Sequence, residues 1–253
     1  MADEGGAAVA GLSNVRVDYP GRASLGPLDL TVGPREIVAI VGASGAGKST
    51  ALRLLAGLEH PAAGTVIRPA EPGRTGFVFQ NPTLMPWADA RANVALPLEL
   101  SGVPAVEARR RADDSLAATG LGDRITARPR QLSGGMAMRV SFARALAVEP
   151  DLLLLDEPFA ALDSITRRGL IEDLHRLWAA RPMAMVFVTH DVEEAAYLAG
   201  RVVVLSRADG RAVADIAMPG ALPRPEGWRS DPAHREAVEA VAEALARSME
   251  LAS

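Results

Sequence analysis

A glycine-rich segment directly after a short apolar run constrains this chain more than any other feature. Residues 37–41 read Ile-Val-Ala-Ile-Val, and residues 42–49 read Gly-Ala-Ser-Gly-Ala-Gly-Lys-Ser. The apolar run predicts a buried strand, and Leu52, Leu55 and Ala56 predict a helix directly after the glycines. A strand, a glycine turn and a helix in this order begin an α/β unit.

The glycine turn has the residue types and spacing of a phosphate-binding loop, G-x-x-x-x-G-K-[ST]. Glycines let the backbone curl so that successive N–H groups point at phosphate oxygens, and the helix N-terminus adds partial positive charge. We predict that Lys48 reaches the β- and γ-phosphates of a nucleotide and that the Ser49 hydroxyl ligates Mg²⁺. A glycine turn that binds nothing is the alternative. The predicted contacts are Gly42, Ala43, Ser44, Gly45, Ala46, Gly47, Lys48, Ser49 and Thr50.

A second apolar run ends in two acids. Residues 152–155 are four leucines, and Asp156 and Glu157 follow them. A buried strand here would place Asp156 at the carboxyl edge of the sheet, beside the phosphate loop. We predict that Asp156 holds Mg²⁺, directly or through water, and that Glu157 polarises the water that attacks the γ-phosphate. These residues predict a magnesium-dependent ATPase, and a plain exposed acidic turn is the alternative.

Composition limits the classes of protein that the chain can belong to. Its 253 residues are 49% hydrophobic and carry a net charge of −4, which fits one large domain with a core. No long basic run indicates nucleic-acid binding. The chain has no cysteine, which excludes disulfides and cysteine-ligated metals. We expect a soluble chain without a secretory signal, because no stretch approaches the roughly 20 apolar residues that span a bilayer.

The pattern of apolar residues predicts one ATPase domain with three parts. An α/β core for ATP binding takes residues 1–80 and 150–220, and a helical subdomain takes the inserted residues 81–149. Residues 221–253 form a C-terminal helical tail. We predict that an apolar stripe of this tail packs against the core, with partner binding as the alternative. The stripe consists of Val238, Val241, Ala242, Leu245 and Met249.

A third motif identifies a family. Residues 132–135 read Leu-Ser-Gly-Gly and lie between the phosphate loop and the Asp-Glu pair. With the motifs in this order, the chain resembles the ATP-binding cassette (ABC) ATPases over about residues 12–218. The resemblance implies a RecA-like P-loop NTPase core with an N-terminal antiparallel β subdomain and an inserted helical subdomain. It also implies a homodimer that encloses two ATP molecules.

The dimer has independent support in the sequence. The Leu-Ser-Gly-Gly motif is a second glycine turn before a helix and therefore suits a phosphate. It lies in the helical insertion, away from the phosphate loop, so that the motif of a second copy could cover the ATP. The resemblance implies that Ser133 and Gly135 contact this ATP at its γ-phosphate, and that Gly134 between them also belongs to the nucleotide site. It also implies that Asp163, in the Ala-Leu-Asp stretch at 161–163, lies in the loop that crosses the dimer interface.

The resemblance implies roles for three further residues. Tyr19 stacks on adenine, with an exposed tyrosine at a strand edge as the alternative. Gln80 senses Mg²⁺ and the attacking water, and His190 contacts the γ-phosphate. The remaining histidines are predicted to be surface or packing residues: His60, His175 and His234.

Two further features resemble the importer branch for nitrate, taurine and alkylsulfonates. Met136 stands where many family members have glutamine, and residues 84–87 read Leu-Met-Pro-Trp. We expect this segment to receive a coupling helix of an integral-membrane permease, with packing of Trp87 in the helical subdomain as the alternative. The chain would then lie on the cytoplasmic face of the membrane, and a periplasmic or extracellular substrate-binding protein would deliver the solute. The same branch also serves pyrimidine-type solutes.

Other functions fit the sequence less well. DNA-repair and translation members of the family carry a long coiled coil or a second cassette, and this chain shows neither. A P-loop kinase would have no use for the Leu-Ser-Gly-Gly motif. Glu157 and His190 argue against an inactive regulatory subunit. An exporter half would usually be fused to membrane spans.

Overall fold

A computed structural model shows the chain as two compact units. The first unit comprises residues 1–70 and 183–253, and the second comprises residues 71–182. Tyr19, the predicted adenine contact, lies outside the described residues. The described residues are 8–18, 25–69, 71 and 73–250.

The first unit begins with a three-stranded antiparallel sheet. Its strands, in spatial order, are β2 (Leu25–Val32), β1 (Ala10–Val17) and β4 (Ala63–Ile67). Leu28, Leu30 and Val32 of β2 are buried, as their period-two spacing predicts. The predicted antiparallel β subdomain is therefore confirmed. β4 was not predicted, because its residues are exposed or half-buried and show no apolar alternation.

A second sheet of this unit contains the strand that precedes the glycine-rich loop. Its strands, in spatial order, are β7 (Ala184–Val188), β3 (Ile37–Gly42), β8 (Arg201–Leu205) and β9 (Ala212–Ala217). β3 is parallel to β7 and β8, and β9 returns antiparallel to β8 after the turn that contains Asp209 and Gly210. Every residue of β3 is buried, as expected for a central parallel strand with a continuous apolar run.

Helices of the first unit either follow its parallel strands or form its C-terminal segment. They are α1 (Lys48–Ala56), α6 (Val192–Leu198) and α7 (Pro232–Glu250). α1 ends before Gly57, because this glycine adopts a left-handed φ of 75° and donates its N–H to the carbonyls of Arg53 and Leu54.

The buried face of α7 differs from the predicted stripe. Ala242 and Met249 of that stripe are exposed, and only Val241 is fully buried. The face that packs is formed largely by small side chains, which let the helix approach its neighbours closely. Its residues are His234, Ala237, Val241, Ala244 and Ser248.

The second unit combines a parallel strand pair with helices. The strands are β5 (Thr75–Val78) and β6 (Leu152–Asp156), and the helices are α2 (Ala90–Leu100), α3 (Ala105–Ala118), α4 (Gly134–Ala147) and α5 (Ser164–Ala180). Apolar residues of α2, α3 and α4 form a common buried core, so residues 81–149 are mainly helical as predicted. The α/β class is therefore confirmed, while the predicted division into core, helical subdomain and tail stays a prediction. Within the described residues, the structure shows no helix with the length and apolarity of a membrane span.

A cluster of cationic and aromatic side chains secures the C-terminal segment of the first unit. The buried Arg224 donates to the carbonyls of Ala196, Tyr197 and Ala199, where α6 ends. The guanidinium of Arg229 lies 3.6 Å from the ring centroid of Tyr197. His234 is 5% exposed and packs edge-on to Tyr197, with 6.0 Å between ring centroids.

Burial lowers the pKa of His234, and the positive charges of Arg229 and Arg224 lower it further. Glu193 and Asp231 act in the opposite direction without reversing the shift. The folded unit therefore favours the neutral imidazole.

We expect the free energy of unfolding to decrease as the pH falls below about 6.5, the ordinary histidine pKa. The unfolded chain then takes up a proton that the folded chain resists, at a cost of at most about 1.4 kcal/mol per pH unit. Above that pH the His234 imidazole is neutral in both the folded and the unfolded chain, so its full contribution to the free energy of unfolding is present. Urea unfolding of wild type and His234→Phe on either side of about pH 6.5 measures this effect.

The exposed His60 provides the matched control, because His60→Gln should retain the wild-type pH dependence. His234→Phe should flatten the dependence. If it kept the full wild-type slope, the buried imidazole would not be the cause.

Candidate active site

The glycine-rich loop connects β3 to α1 with two residues in the left-handed region. Gly45 has a φ of 84° and Gly47 a φ of 91°. A Cβ on Gly47 would also lie 2.2 Å from the Leu25 side chain, whereas a Cβ on Gly45 would meet no atom within 4 Å. Backbone conformation requires glycine at both positions, and close packing requires it again at Gly47.

The side chain of Lys48 folds back over this loop. It is 7% exposed, and its ammonium donates to the carbonyl oxygens of Gly42 at 2.9 Å and Ala43 at 3.1 Å. The N-cap residue of α1 is Gly47, which has no side chain to cap the helix. A buried ammonium and a curled backbone before a helix N-terminus suit a phosphate group, and the predicted contacts of this loop with a nucleotide stay predictions. Ser49 and Thr50 lie half-buried in the first turn of α1.

His190 follows the strand next to the loop. β7 pairs in parallel with β3, with Val188 opposite Ile40. His190 and Gly42 each lie two residues beyond this pair, so both emerge at the carboxyl edge of the same sheet. His190 is exposed.

Hydrogen bonds fix the turn that carries His190. Thr189 Oγ1 donates to Glu194 Oε2 at 2.6 Å and accepts from the Asp191 N–H at 3.0 Å. Asp191 caps α6 by accepting from the N–H groups of Glu193 and Glu194. The residues before and after His190, Thr189 and Asp191, are therefore both held by hydrogen bonds, which fixes His190 at the end of the strand.

The acidic pair lies in the second unit. Asp156 ends β6 and is 9% exposed, and Glu157 has a φ of 46°. A non-glycine residue in this left-handed region costs about 1–3 kcal/mol and is common at active sites. β5 and β6 are parallel, with Val78 opposite Leu155. Gln80 and Glu157 each lie two residues beyond this pair, so both lie at the carboxyl edge of the two strands.

The signature turn begins α4 in the second unit. Ser133 is the N-cap residue, and its Oγ accepts from the Met136 N–H at 3.3 Å. Ser133 and Gly134 are exposed, whereas Gly135 is buried. A Cβ on Gly135 would lie 2.4 Å from Thr166 Cγ2, so the close approach of α4 to α5 requires glycine there.

Asp163 is the N-cap residue of α5. Its Oδ1 accepts from the N–H groups of Thr166 at 3.0 Å and Ile165 at 3.1 Å. Hydrogen bonds from the Thr166 backbone and side chain, followed by that from Ile165, hold the pKa of this carboxyl below its usual value. Asp163 therefore has a structural task in addition to its predicted place at a dimer interface.

The segment at residues 84–87 exposes an aromatic side chain. Trp87 is 74% exposed, while Leu84 packs against the core of the helices. Packing of Trp87 in that core, the alternative considered from the sequence, is therefore not observed. Two polar residues that hold this segment, Asn93 and Arg144, were not identified from the sequence, because neither belongs to a motif.

We expect Gly135→Ala to destabilise the chain by about 1–3 kcal/mol, because the new methyl group overpacks the contact with Thr166. Gly134→Ala is the matched control, since its Cβ would lie 3.9 Å from the nearest atom, in Leu162. The control should be neutral, or stabilising by up to about 1 kcal/mol. Urea unfolding of both variants measures these values.

Removal of the methyl group that causes the overlap should restore stability. The double variant Gly135→Ala with Thr166→Ser should therefore recover most of the loss, because serine lacks Cγ2. A loss of equal size with and without Thr166→Ser would show that the α4–α5 contact is not responsible.

Comparison with known proteins identifies the family of this chain. The sequence model of the family described as "ABC transporter" matches residues 25–160. The aliphatic sulfonates import ATP-binding protein SsuB of Mycobacterium sp. (strain MCS) is 49% identical over 221 residues, which are 87% of this chain and 88% of that protein. A protein named SsuB 1 from Mesorhizobium japonicum is 48% identical over 204 residues, 79% of this chain and 76% of its own. The predicted resemblance to the importer branch is confirmed.

Solved structures show the same fold. The cbiO1 protein of Clostridium perfringens, described as part of the ABC transporter complex cbiONQ, has a TM-score of 0.74 and 25% identity over 82% of this chain and 88% of its own. The cassette MJ0796, solved as a dimer in a post-hydrolysis state with ADP and Pi, has a TM-score of 0.71 and 32% identity, covering 84% of this chain and all of that one. The chain therefore belongs to the ABC transporter family, as an ATP-binding subunit that hydrolyses ATP.

Proposed function

We propose that this chain is the energy-coupling subunit of an importer for aliphatic sulfonates or a similar small solute such as taurine or nitrate. Two copies enclose two ATP molecules, and ATP hydrolysis drives a separate permease. The observation that carries the dimer cycle is the exposed signature turn at Ser133 and Gly134, because a helix N-terminus open to solvent can cover the phosphate bound by a second copy. The solute class is supported by relatives named for the import of aliphatic sulfonates, one of which is 49% identical to this chain.

The residues present fit ATP with Mg²⁺. Lys48 has an ammonium over the phosphate loop, and Ser49, Gln80 and Asp156 offer the oxygen ligands that Mg²⁺ prefers. When bound, Mg²⁺ would supply positive charge that offsets the negative charge developing on the phosphate oxygens. Tyr19 would stack on the adenine.

Hydrolysis needs a positioned water and stabilisation of the γ-phosphate. Glu157 takes a proton from the water as the water oxygen bonds to the γ-phosphorus and the bond from that phosphorus to the bridging oxygen breaks, which releases ADP and phosphate. Gln80 orients this water, and His190 donates to a γ-phosphate oxygen. Ser133 and Gly135 of the second copy donate to the same phosphate, so the γ-phosphate stabilises the closed dimer until hydrolysis and release reopen it. Asp163, in the interface loop, lies between the copies.

The exposed segment at residues 84–87 would dock the permease. Trp87 would offer an apolar surface to a permease helix. The signature helix α4 belongs to the same unit, so the covering of ATP would be linked to this docking surface. The chain would be peripheral on the cytoplasmic face of the membrane. It never contacts the solute, which a substrate-binding protein would deliver to the permease.

We expect Glu157→Gln to bind ATP, to lower the hydrolysis rate by about 10²–10⁴-fold, and to accumulate as a closed dimer. Size-exclusion chromatography with and without Mg-ATP should show a shift from monomer to dimer only with nucleotide. Glu149→Gln, at another acid with a positive φ in the same unit, is the matched control and should hydrolyse ATP normally. Glu157→Gln combined with Lys48→Ala should not dimerise, because the phosphate contact is lost.

A variant that binds ATP but stays monomeric would contradict the proposed covering of ATP by a second copy in the isolated subunit. A variant that hydrolyses ATP at the wild-type rate would exclude Glu157 as the residue that polarises the water.

The solute class can be tested in cells of the source organism. A strain that lacks this chain should lose uptake of a labelled short alkylsulfonate, because no other part of the importer hydrolyses ATP. Wild-type chain should restore uptake, and Glu157→Gln should not. Unchanged uptake of alkylsulfonate, taurine and nitrate in the deletion strain would exclude the proposed solute class.

A further inference from the structure

The exposed segment with Trp87 is held at both ends by polar side chains that no motif contains. Residues 82–89 lie in the connection between β5 and α2 and form no helix or strand of their own. Arg144 of α4 holds the beginning of this segment, and Asn93 of α2 holds its end.

Arg144 binds the segment through several acceptors at once. Its Nη1 donates to the Thr83 carbonyl at 3.0 Å, and its Nη2 lies within hydrogen-bonding distance of the Pro82 carbonyl at 3.0 Å and Thr83 Oγ1 at 3.1 Å. Nη2 also approaches Ser141 Oγ at 3.4 Å within α4. These acceptors are neutral oxygens, and burial lowers the pKa of Arg144. A planar guanidinium can reach both carbonyls together, which the single ammonium of lysine cannot do equally well.

Thr83 has an unusual backbone at the point where Arg144 binds. Its φ is 47°, in the left-handed region that β-branched residues rarely adopt. Such a conformation persists where surrounding contacts determine it. Arg144 provides contacts to both the backbone and the side chain of Thr83, so the path of the chain into the exposed segment depends on α4.

Asn93 fixes the other end. It is 1% exposed, and its Oδ1 accepts from the Met85 N–H at 2.7 Å. Its Nδ2 approaches the carbonyls of Asp89 at 2.9 Å and of Met85 and Ala88 at 3.3 Å. Trp87 therefore projects from a turn whose backbone is bonded on both sides to one buried amide.

We propose that Arg144 is a positioning residue that ties the exposed segment at 82–87 to the signature helix α4, so that both move together when ATP is covered. The proposal rests on the function proposed above. Ser133 and Arg144 are on the same helix, about 16 Å apart along its axis at 1.5 Å per residue. A shift of the signature onto ATP would therefore displace Thr83 through its bonds to Arg144.

Hydrogen exchange in the full chain can test this tie. In the Glu157→Gln background, Mg-ATP should slow exchange in residues 82–89 by about tenfold, because closure of the dimer restrains α4 and the segment bonded to it. Arg144→Met should abolish most of this response while the dimer still forms. Arg144→Lys should retain an intermediate response, and Thr83→Val should weaken it, because one acceptor is lost.

Controls separate this tie from a general effect on folding. Arg109→Met, at an exposed arginine of α3, should leave the response intact. Urea unfolding identifies any variant that is globally destabilised. If Arg144→Met is destabilised in this way, Arg144→Lys replaces it in the comparison. The proposal would be overturned if Arg144→Met and Arg144→Lys both dimerise with ATP and still show the full slowing of hydrogen exchange. Failure of the parent variant to dimerise would instead contradict the proposed function.

Discussion

The placement of a buried ammonium at the junction of β3 and α1 is the constraint on which the first unit depends. Lys48 has its Nζ bonded to the carbonyls of Gly42 and Ala43, and this is possible only because the loop curls through two left-handed glycines. Burial of a cation is costly unless hydrogen bonds or an anion compensate for lost water. The loop supplies the bonds, and the N-terminus of α1 that follows it favours the anion.

Each unit uses the register of parallel strands to bring two functional residues to one edge. In the first unit the pair Ile40 and Val188 sets Gly42 level with His190. In the second unit the pair Val78 and Leu155 sets Gln80 level with Glu157. A register change of one residue would shift one member of each pair by about 3.3 Å along the strand direction relative to the other.

Motifs with strong local constraints could be predicted from the sequence, and contacts between distant residues could not. The loop at 42–49, the buried β3 and the end of α1 at Gly57 follow from glycine conformation and apolar runs. The buried face of α7 was missed, because close packing favoured Ala237 and Ala244 over larger neighbours. Arg144 was also missed, since its partners at 82–83 are more than sixty residues away.

Hydrogen bonds suit the task of carrying movement to an exposed segment better than apolar packing does. Trp87 is 74% exposed and gives its own segment little apolar support. The backbone around it is instead fixed by Arg144 and Asn93 through directional bonds. Such bonds weaken steeply when their angle or distance changes, whereas apolar contacts tolerate sliding. A displaced α4 must therefore move Thr83 or break several bonds to the half-buried guanidinium of Arg144, and moving Thr83 is the less costly result.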